Sequence, residues 1–288
     1  MCLIAFAIDP EAEVPLFIAS NRDEFFDRPT RPLHRWTLPN GTEVVGGRDE
    51  RDGGTWLGLS PNGRVAMLTN VRSAHMASAQ RSRGELPNRW LSGELGWTQF
   101  QTTVAPADYG GFNLVVGDAH TGLWAWLSNR DPADPHDTAR GQQAPALFSQ
   151  QLEPGVYGLS NATLDTAWPK TVALKAALSA ALADPFGKSE EAGLLQTLGA
   201  ATPSPAHRLP TTGLPADWES RLSSPFVEMP ERGYGTRSSL LARARRSASP
   251  SDARLGWDIT LDEWTHGTDT PHRAAWREDQ RRTETLRW

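Results

Sequence analysis

The first half of the chain reads as a succession of antiparallel hairpins, a pattern that argues against a doubly wound parallel sheet. Residues 3–8 (Leu-Ile-Ala-Phe-Ala-Ile) and 14–20 (Val-Pro-Leu-Phe-Ile-Ala-Ser) are apolar β-type runs separated by the turn cluster Asp9-Pro10-Glu11-Ala12-Glu13. Paired about that turn, opposing residue numbers sum to about 23, which sets Cys2 across from Asn21 and beside Arg22. A second hairpin joins residues 55–59 to 64–70 through Pro61-Asn62-Gly63 and sets Asn70 opposite Gly53 and Gly54. A third joins 111–116 to 123–127, and a further strand, 155–160, leads into Asn161.

Helix is expected later in the chain. Residues 166–183 carry Val172, Leu174, Leu178 and Leu182 among alanines and lysines, with Asp165 or Thr166 as N-cap and Pro169 in the first turn. Ser189 with Glu190 and Glu191 opens a shorter helix to about residue 199. The polar, Pro-rich residues 131–145 read as an exposed loop, and 202–232, with six prolines, as an irregular segment able to cover a pocket. Strand character returns at 234–244 and 255–264, and the Arg-rich end reads as surface. No Gly/Ser-rich linker divides the 288 residues, so a single domain over 1–288 is expected.

Cys2 is the only cysteine. Removal of the initiator methionine would leave a thiol and a free α-amino group on one residue. The α-amine titrates near ~7.7–8.0 and a thiol near ~8.5, so the amine can take the thiol's proton at neutral pH. The plain alternative is a small buried hydrophobe at a strand start. A lone cysteine also excludes an internal disulfide, and no positively charged region precedes the apolar start, which Asp9 ends, so no signal peptide is expected. A reducing cytoplasm fits best. No apolar stretch approaches the ~20 residues needed to span a bilayer, and a soluble chain is expected. A net charge of -5 offers no basic face for nucleic acid. Twelve tryptophans scattered from Trp36 to Trp288 read as packing.

Asn21-Arg22-Asp23-Glu24-Phe25 places two acids and a guanidinium at the end of strand two, next to Cys2. Arg22 beside a thiol favours thiolate, and Asp23 can hydrogen-bond the α-amine. Gly46-Gly47 and Gly53-Gly54 flank strands, either as tight turns or as places where backbone N–H groups approach a substrate oxygen. The seven histidines show no HxxxH pair, and there is no C-x-x-C-H, GxGxxG or Walker pattern. No metal site, attached haem or bound nucleotide is expected, and no cofactor is required.

Met1-Cys2, Asn21-Arg22-Asp23-Glu24-Phe25, Gly47-Arg48-Asp49, Gly53-Gly54-Thr55-Trp56, Leu68-Thr69-Asn70, Gly111-Phe112-Asn113, Leu159-Ser160-Asn161 and Tyr234-Gly235-Thr236-Arg237 resemble the NRDE-motif family. Its animal members are called transport and Golgi organisation protein 2. That family in turn resembles N-terminal-nucleophile hydrolases of the choloylglycine hydrolase and penicillin V acylase type. The resemblance implies Cys2 as nucleophile and base, Arg22 and Asp23 as its supports, Asn70 and Asn161 as oxyanion or orienting groups, and Arg237 as a late arginine. Asn21, Glu24, Gly53 and Gly54 are expected at the substrate. Those acylases separate the arginine and the aspartate by two residues, whereas Arg22 and Asp23 are adjacent and alternate faces of a strand. Either Asp23 or Glu24 therefore fills the acidic role.

The fold expected is α+β, a four-layer αββα sandwich of two antiparallel sheets with helices outside. The function expected is hydrolysis of a linear amide or thioester of a small-molecule acyl substrate. The alternative is a non-catalytic haem or acyl-lipid carrier using the same pocket, since proposals for the family include haem movement and lipid metabolism. As a hydrolase, the chain should gather Asn70, Asn161, Arg237 and Cys2 around one concave pocket.

Overall fold

The computed structural model describes residues 2–73, 79–134, 147–183, 190–247, 256–267 and 276–288. Strands β1 (Cys2–Ile8) and β2 (Leu16–Phe25) are followed by a meander of β3 (Thr30–Thr37), β4 (Glu43–Asp49), β5 (Leu57–Leu59) and β6 (Arg64–Asn70). Two short helices, α1 (Glu85–Leu91) and α2 (Trp97–Thr103), precede β7 (Phe112–Asp118), β8 (Leu123–Ser128), β9 (Phe148–Gln151) and β10 (Gly155–Leu159). Then come α3 (Pro169–Ala183), α4 (Glu190–Leu198) and α5 (Ala216–Arg221). The chain finishes with β11 (Glu228–Met229), β12 (Tyr234–Arg246), β13 (Trp257–Thr265) and β14 (Arg281–Arg287).

The strands form two antiparallel sheets. One has the order β10-β1-β2-β12-β13-β14, with β11 added on β12; the other runs β3 to β9 in chain order. Alternation along each strand sends every second side chain to the space between the sheets, where Ile4, Phe6 and Ile18 meet Val45, Leu57 and Met67. The opposite faces are also apolar. Leu3, Ala5 and Phe17 pack on Leu174, Leu178 and Leu194 of α3 and α4, while Leu114 and Val116 pack on Leu86, Trp90 and Phe100 of α1 and α2. The result is the expected αββα sandwich. Because both faces of β1 are covered, all seven of its residues are buried, and each large one contributes roughly 1.5–3 kcal/mol.

Several local expectations are corrected. Pro15 has no N–H to donate, so β2 begins at Leu16, and the hairpin numbers sum one higher than expected. Cys2 therefore faces Arg22, and Asn21 faces Leu3. Helix α3 starts at Pro169; Asp165 adopts φ 57° and accepts from the Gly158 N–H at 2.8 Å, forming a turn before the helix. Val172 points to solvent, and Lys170 is buried in its stead. The Pro-rich segment contains α5 and β11, while the Arg-rich end is surface as expected, carried on strand β14. Helices α1 and α2 have glycine N-caps without side-chain caps, so packing of Leu86, Trp90 and Phe100 defines them. The expected 131–145 loop is exposed turn at 131–134, and its remainder lies outside the described residues.

Candidate active site

The sheet pairing puts Cys2 directly opposite Arg22, and directly opposed residues share a face. Ile4 and Ile18 point between the sheets, so Cys2, Arg22 and Glu24 point there too. Arg22 is buried, with its guanidinium carbon 4.1 Å from the centroid of the Trp56 ring. Its Nη2 lies 3.7 Å from Glu24 Oε2, and its buried Nη1 has no hydrogen-bond partner among the described residues. Trp56 is seated in turn against Gly47, where a Cβ would stand 2.2 Å from the indole. Glycine at 47 thus admits the ring that carries Arg22. Glu263 closes this face, accepting the Leu33 N–H at 2.7 Å; burial pushes its carboxyl up.

Cys2 is 7% exposed. Burial pushes its thiol above the ordinary value; the amino terminus and Arg22 pull it down, while Asp23 and Glu24 push it up, and burial prevails. In the chain that carries Met1, Arg22 thus acts in the direction expected of it, and burial outweighs it. Glu24 is held below the usual carboxylate range: burial raises it, but the amino terminus, the Phe25 N–H, Arg22 and Arg28 outweigh that.

Asn21 and Asp23 face the other way, under a strap that runs from the end of α4 to β11. Asn21 Nδ2 donates to the carbonyls of Leu198 (2.8 Å) and Pro225 (2.9 Å), and its Oδ1 accepts from the Ser239 hydroxyl at 2.5 Å. The substrate-facing position expected of Asn21 is thus replaced by a clamp on the strap. Asp23 Oδ1 accepts from the Thr236 hydroxyl at 2.7 Å. Burial pushes Asp23 up, opposed first by the charge of Lys170 and then by the amino terminus, the Thr236 hydrogen bond and Arg72. Arg72 is buried against Glu219 (Nη1 to Oε2, 2.7 Å), and its Nη2 lies 3.2 Å from the Leu222 carbonyl.

On the third side, the Ser160 hydroxyl lies 3.1 Å from both the Cys2 carbonyl oxygen and Asn161 Oδ1. Asn161 Nδ2 donates to the backbone and side-chain oxygens of Asn70, both at 3.0 Å. The structure therefore joins Asn70 and Asn161 to Cys2 through Ser160. With Asn161 Nδ2 engaged, Asn70 Nδ2 is the amide with no acceptor among the described residues.

Arg237 sits at the bulge where the β2–β12 register shifts between Thr236 and Ser238. Its Nη1 donates to the carbonyls of Phe25 (2.8 Å) and Arg28 (3.2 Å), so it fastens the turn after β2. Burial and the nearby Arg22 charge pull its pKa down, against Glu24 and Asp27. Gly53, at φ +73°, donates its N–H to Asp49 O at 2.8 Å, and Gly54 packs where a Cβ would stand 2.4 Å from Gly84. These two glycines shape a turn in the second sheet. Two clefts lie away from Cys2: one of about 150 Å³ beside Ile8, Trp124 and Leu152 at the far end of β1, the other beside Pro169, Val172 and Arg208.

Ser160, Trp56, Thr236, Lys170 and Glu219 were not singled out from sequence. Ser160 and Trp56 stand inside the motifs quoted above, and Lys170 is one of only three lysines. Among the described residues no cluster of His, Cys, Asp and Glu suits a metal ion, and no helix is long and apolar enough to cross a membrane.

Comparison with known proteins places the chain by family and fold. The family model described as Transport and Golgi organisation 2 matches residues 1–248. The human Transport and Golgi organization protein 2 homolog is 35% identical over 182 residues, covering 59% of this chain and 60% of the human protein. The Drosophila melanogaster relative is 43% identical over 80 residues, covering 25% of this chain and 28% of its own. Among solved structures, the C2A mutant of conjugated bile acid hydrolase from Clostridium perfringens superposes with a TM-score of 0.50 at 8% identity, covering 100% of this chain and 97% of that one. That likeness shows a shared N-terminal-nucleophile hydrolase fold. With the family model spanning the strands that carry Cys2, Arg22, Asn70, Asn161 and Arg237, the chain belongs to the Transport and Golgi organisation 2 family.

Proposed function

We propose that the chain is a cysteine-dependent, N-terminal-nucleophile-type hydrolase of a linear amide or thioester, acting in the cytoplasm once Met1 is removed. The observation that carries this reading is Cys2 directly opposite Arg22, with the Ser160–Asn161–Asn70 run of hydrogen bonds reaching its carbonyl oxygen. The thiolate of Cys2 attacks the acyl carbon after giving its proton to the α-amine. Asn70 Nδ2, oriented by Asn161, donates to the developing oxyanion, a contribution on the order of 3–4 kcal/mol. Arg22 favours the thiolate, and Asp23, held by Thr236, orients the α-amine. Glu24 and Arg237 stand on the substrate side. An amine leaving group takes its proton from the α-ammonium, whereas a thiolate leaves without one. After a thiolate has left, the α-ammonium first gives its proton to solvent; water then attacks the acyl-enzyme thioester with the free α-amine as base, releasing the acid and the Cys2 thiol.

The second reading, a haem or acyl-lipid carrier without turnover, is favoured by one observation: burial raises the Cys2 thiol in the chain that retains Met1. Intact-mass measurement on protein incubated with acyl thioesters and acyl anilides tests both. The hydrolase reading expects a mass lacking Met1, an acyl adduct on Cys2, and no acid release by Cys2→Ala. Retained Met1 without an adduct, or full release by Cys2→Ala, overturns it.

A further inference from the structure

In the reaction above Arg22 only favours the thiolate, and part of its guanidinium stays unused. The side chain is 5% exposed and stacked 4.1 Å from the centroid of Trp56, which Gly47 seats. Its Nη2 faces Glu24 Oε2 at 3.7 Å, whereas the buried Nη1 meets no acceptor among the described residues. A buried charged donor without a partner costs about 1–3 kcal/mol or more, which an anion placed on it removes. The charges around it favour such an anion. Glu24 is shared with Arg28, at 4.0 Å, and Arg28 also holds Asp49 and Asp52, each at 2.6 Å. Arg237 and Arg83 donate only to carbonyls, Arg83 to Gly111 at 3.1 Å, and neither forms an ion pair among the described residues. Arg83 is tied to both sides of the site. The Gly84 carbonyl accepts the Thr55 N–H at 3.1 Å beside Trp56, and the Gly111 carbonyl also accepts the Val71 N–H at 2.9 Å beside Asn70. Glu263, the buried acid of β13, gives an oxygen to the Leu33 N–H and makes no hydrogen bond or ion pair with Arg22.

We propose that Arg22 Nη1 anchors a carboxylate-binding subsite, so that the acyl group passed to Cys2 is that of a short dicarboxylic acid, its far carboxylate held by Arg22. This rests on the reading of Cys2 as the nucleophile. Cys2 and Arg22 are directly opposed across β1 and β2, where Cα atoms stand about 4.5–5.5 Å apart, so a chain of only a few atoms joins an acyl carbon on Sγ to a carboxylate on Nη1. The donor is buried, and a leaving group must escape to solvent. The carboxylate therefore belongs to the acyl portion, which stays on the enzyme through both half-reactions. The planar N–H groups of a guanidinium match a carboxylate, and its single charge is repelled less by the neighbouring Glu24 than a phosphate's would be.

The test uses two alkylating reagents that differ only in this feature: iodoacetate, which places a carboxylate on the group bound to Sγ, and its neutral counterpart iodoacetamide. Both react with the same thiolate, so the ratio of their rates at Cys2 cancels the acidity of the thiol and any effect of Arg22 upon it. Followed by intact mass at neutral pH and constant ionic strength, the iodoacetate-to-iodoacetamide ratio of the folded chain should exceed that of the urea-unfolded chain by about tenfold or more. Arg22→Gln keeps a donor without the charge and should return the ratio to the unfolded value. A second readout needs no variant: succinate should protect Cys2 of the wild-type chain from both reagents more strongly than inorganic phosphate does. A folded ratio equal to the unfolded one, or unchanged in Arg22→Gln, overturns the subsite and leaves Arg22 to the thiolate alone. Protection by phosphate equal to or stronger than that by succinate overturns the carboxylate. None of these readouts requires turnover, so a chain that forms no acyl adduct fails as a hydrolase and can still pass or fail them.

Discussion

Cys2 and its neighbours show how a single register position decides chemistry. Had the β1–β2 numbers summed as the hairpin loop suggested, Cys2 would share its face with Asn21; the observed pairing gives it Arg22 and the inner face. In protein that retains Met1, burial should keep alkylation of Cys2 slow at neutral pH, with a half-maximal rate above pH ~8.5, and removal of Met1 should shift that midpoint down. Rate against pH, on the two forms separated by mass, checks this. Gly47→Ala drives a Cβ into the Trp56 ring; it should cost about 1–3 kcal/mol in chemical denaturation and loosen the indole under Arg22. Lys170 gives a signed pH dependence. A lysine lowered from 10.5 to about 8 binds its proton less well folded than unfolded, so stability rises as pH increases from about 8 to 10.5. At about 1.4 kcal/mol per pH unit the rise is at most roughly 3 kcal/mol, and it should vanish in Lys170→Met urea melts.

At the scale of elements, the strap between α4 and β11 is the part that sequence patterning described least well. Its prolines suggested irregular chain, and the structure instead fastens it at identifiable points: Asn21 to Leu198 and Pro225, Arg72 to Glu219, Lys170 and Arg72 to Leu222. None of these pairings is local; each joins residues far apart in the chain, so no periodicity announces it. Asn21→Ala should leave two buried carbonyls without donors, each costing about 1–3 kcal/mol, and should open the strap to proteases before the sheets unfold. Glu219→Gln should cost about 3–5 kcal/mol by stranding the Arg72 charge, as read in denaturant melts. The hairpins, by contrast, were legible because alternation and turn residues are local signals. Strands β5 to β8 pair much as the turns at Pro61-Asn62-Gly63 and Asp118–Gly122 implied. Helix α3 was legible in Leu174 and Leu178, but its start was not, since the Asp165 turn depends on Gly158 across space.

For the whole molecule, the two sheets differ in how the chain builds them. The sheet of β3 to β9 is assembled from consecutive strands, whereas the other is closed by strands from both ends of the chain, with β2 paired to β12. Pairings close in sequence form early, and distant ones wait on loop closure. Pulsed hydrogen exchange during refolding should therefore protect β6–β7 amides before those shared by β2 and β12. The consequence reaches back to the first residues. A ribosome adding about 5–20 residues per second takes about 10–40 s to travel from Arg22 to Ser238, the residue that pairs with it. Throughout that interval one edge of the first hairpin has no neighbour. The removal of Met1 that the proposed function requires would fall within it, so the order of synthesis would give an aminopeptidase its turn at Met1 before Cys2 is enclosed.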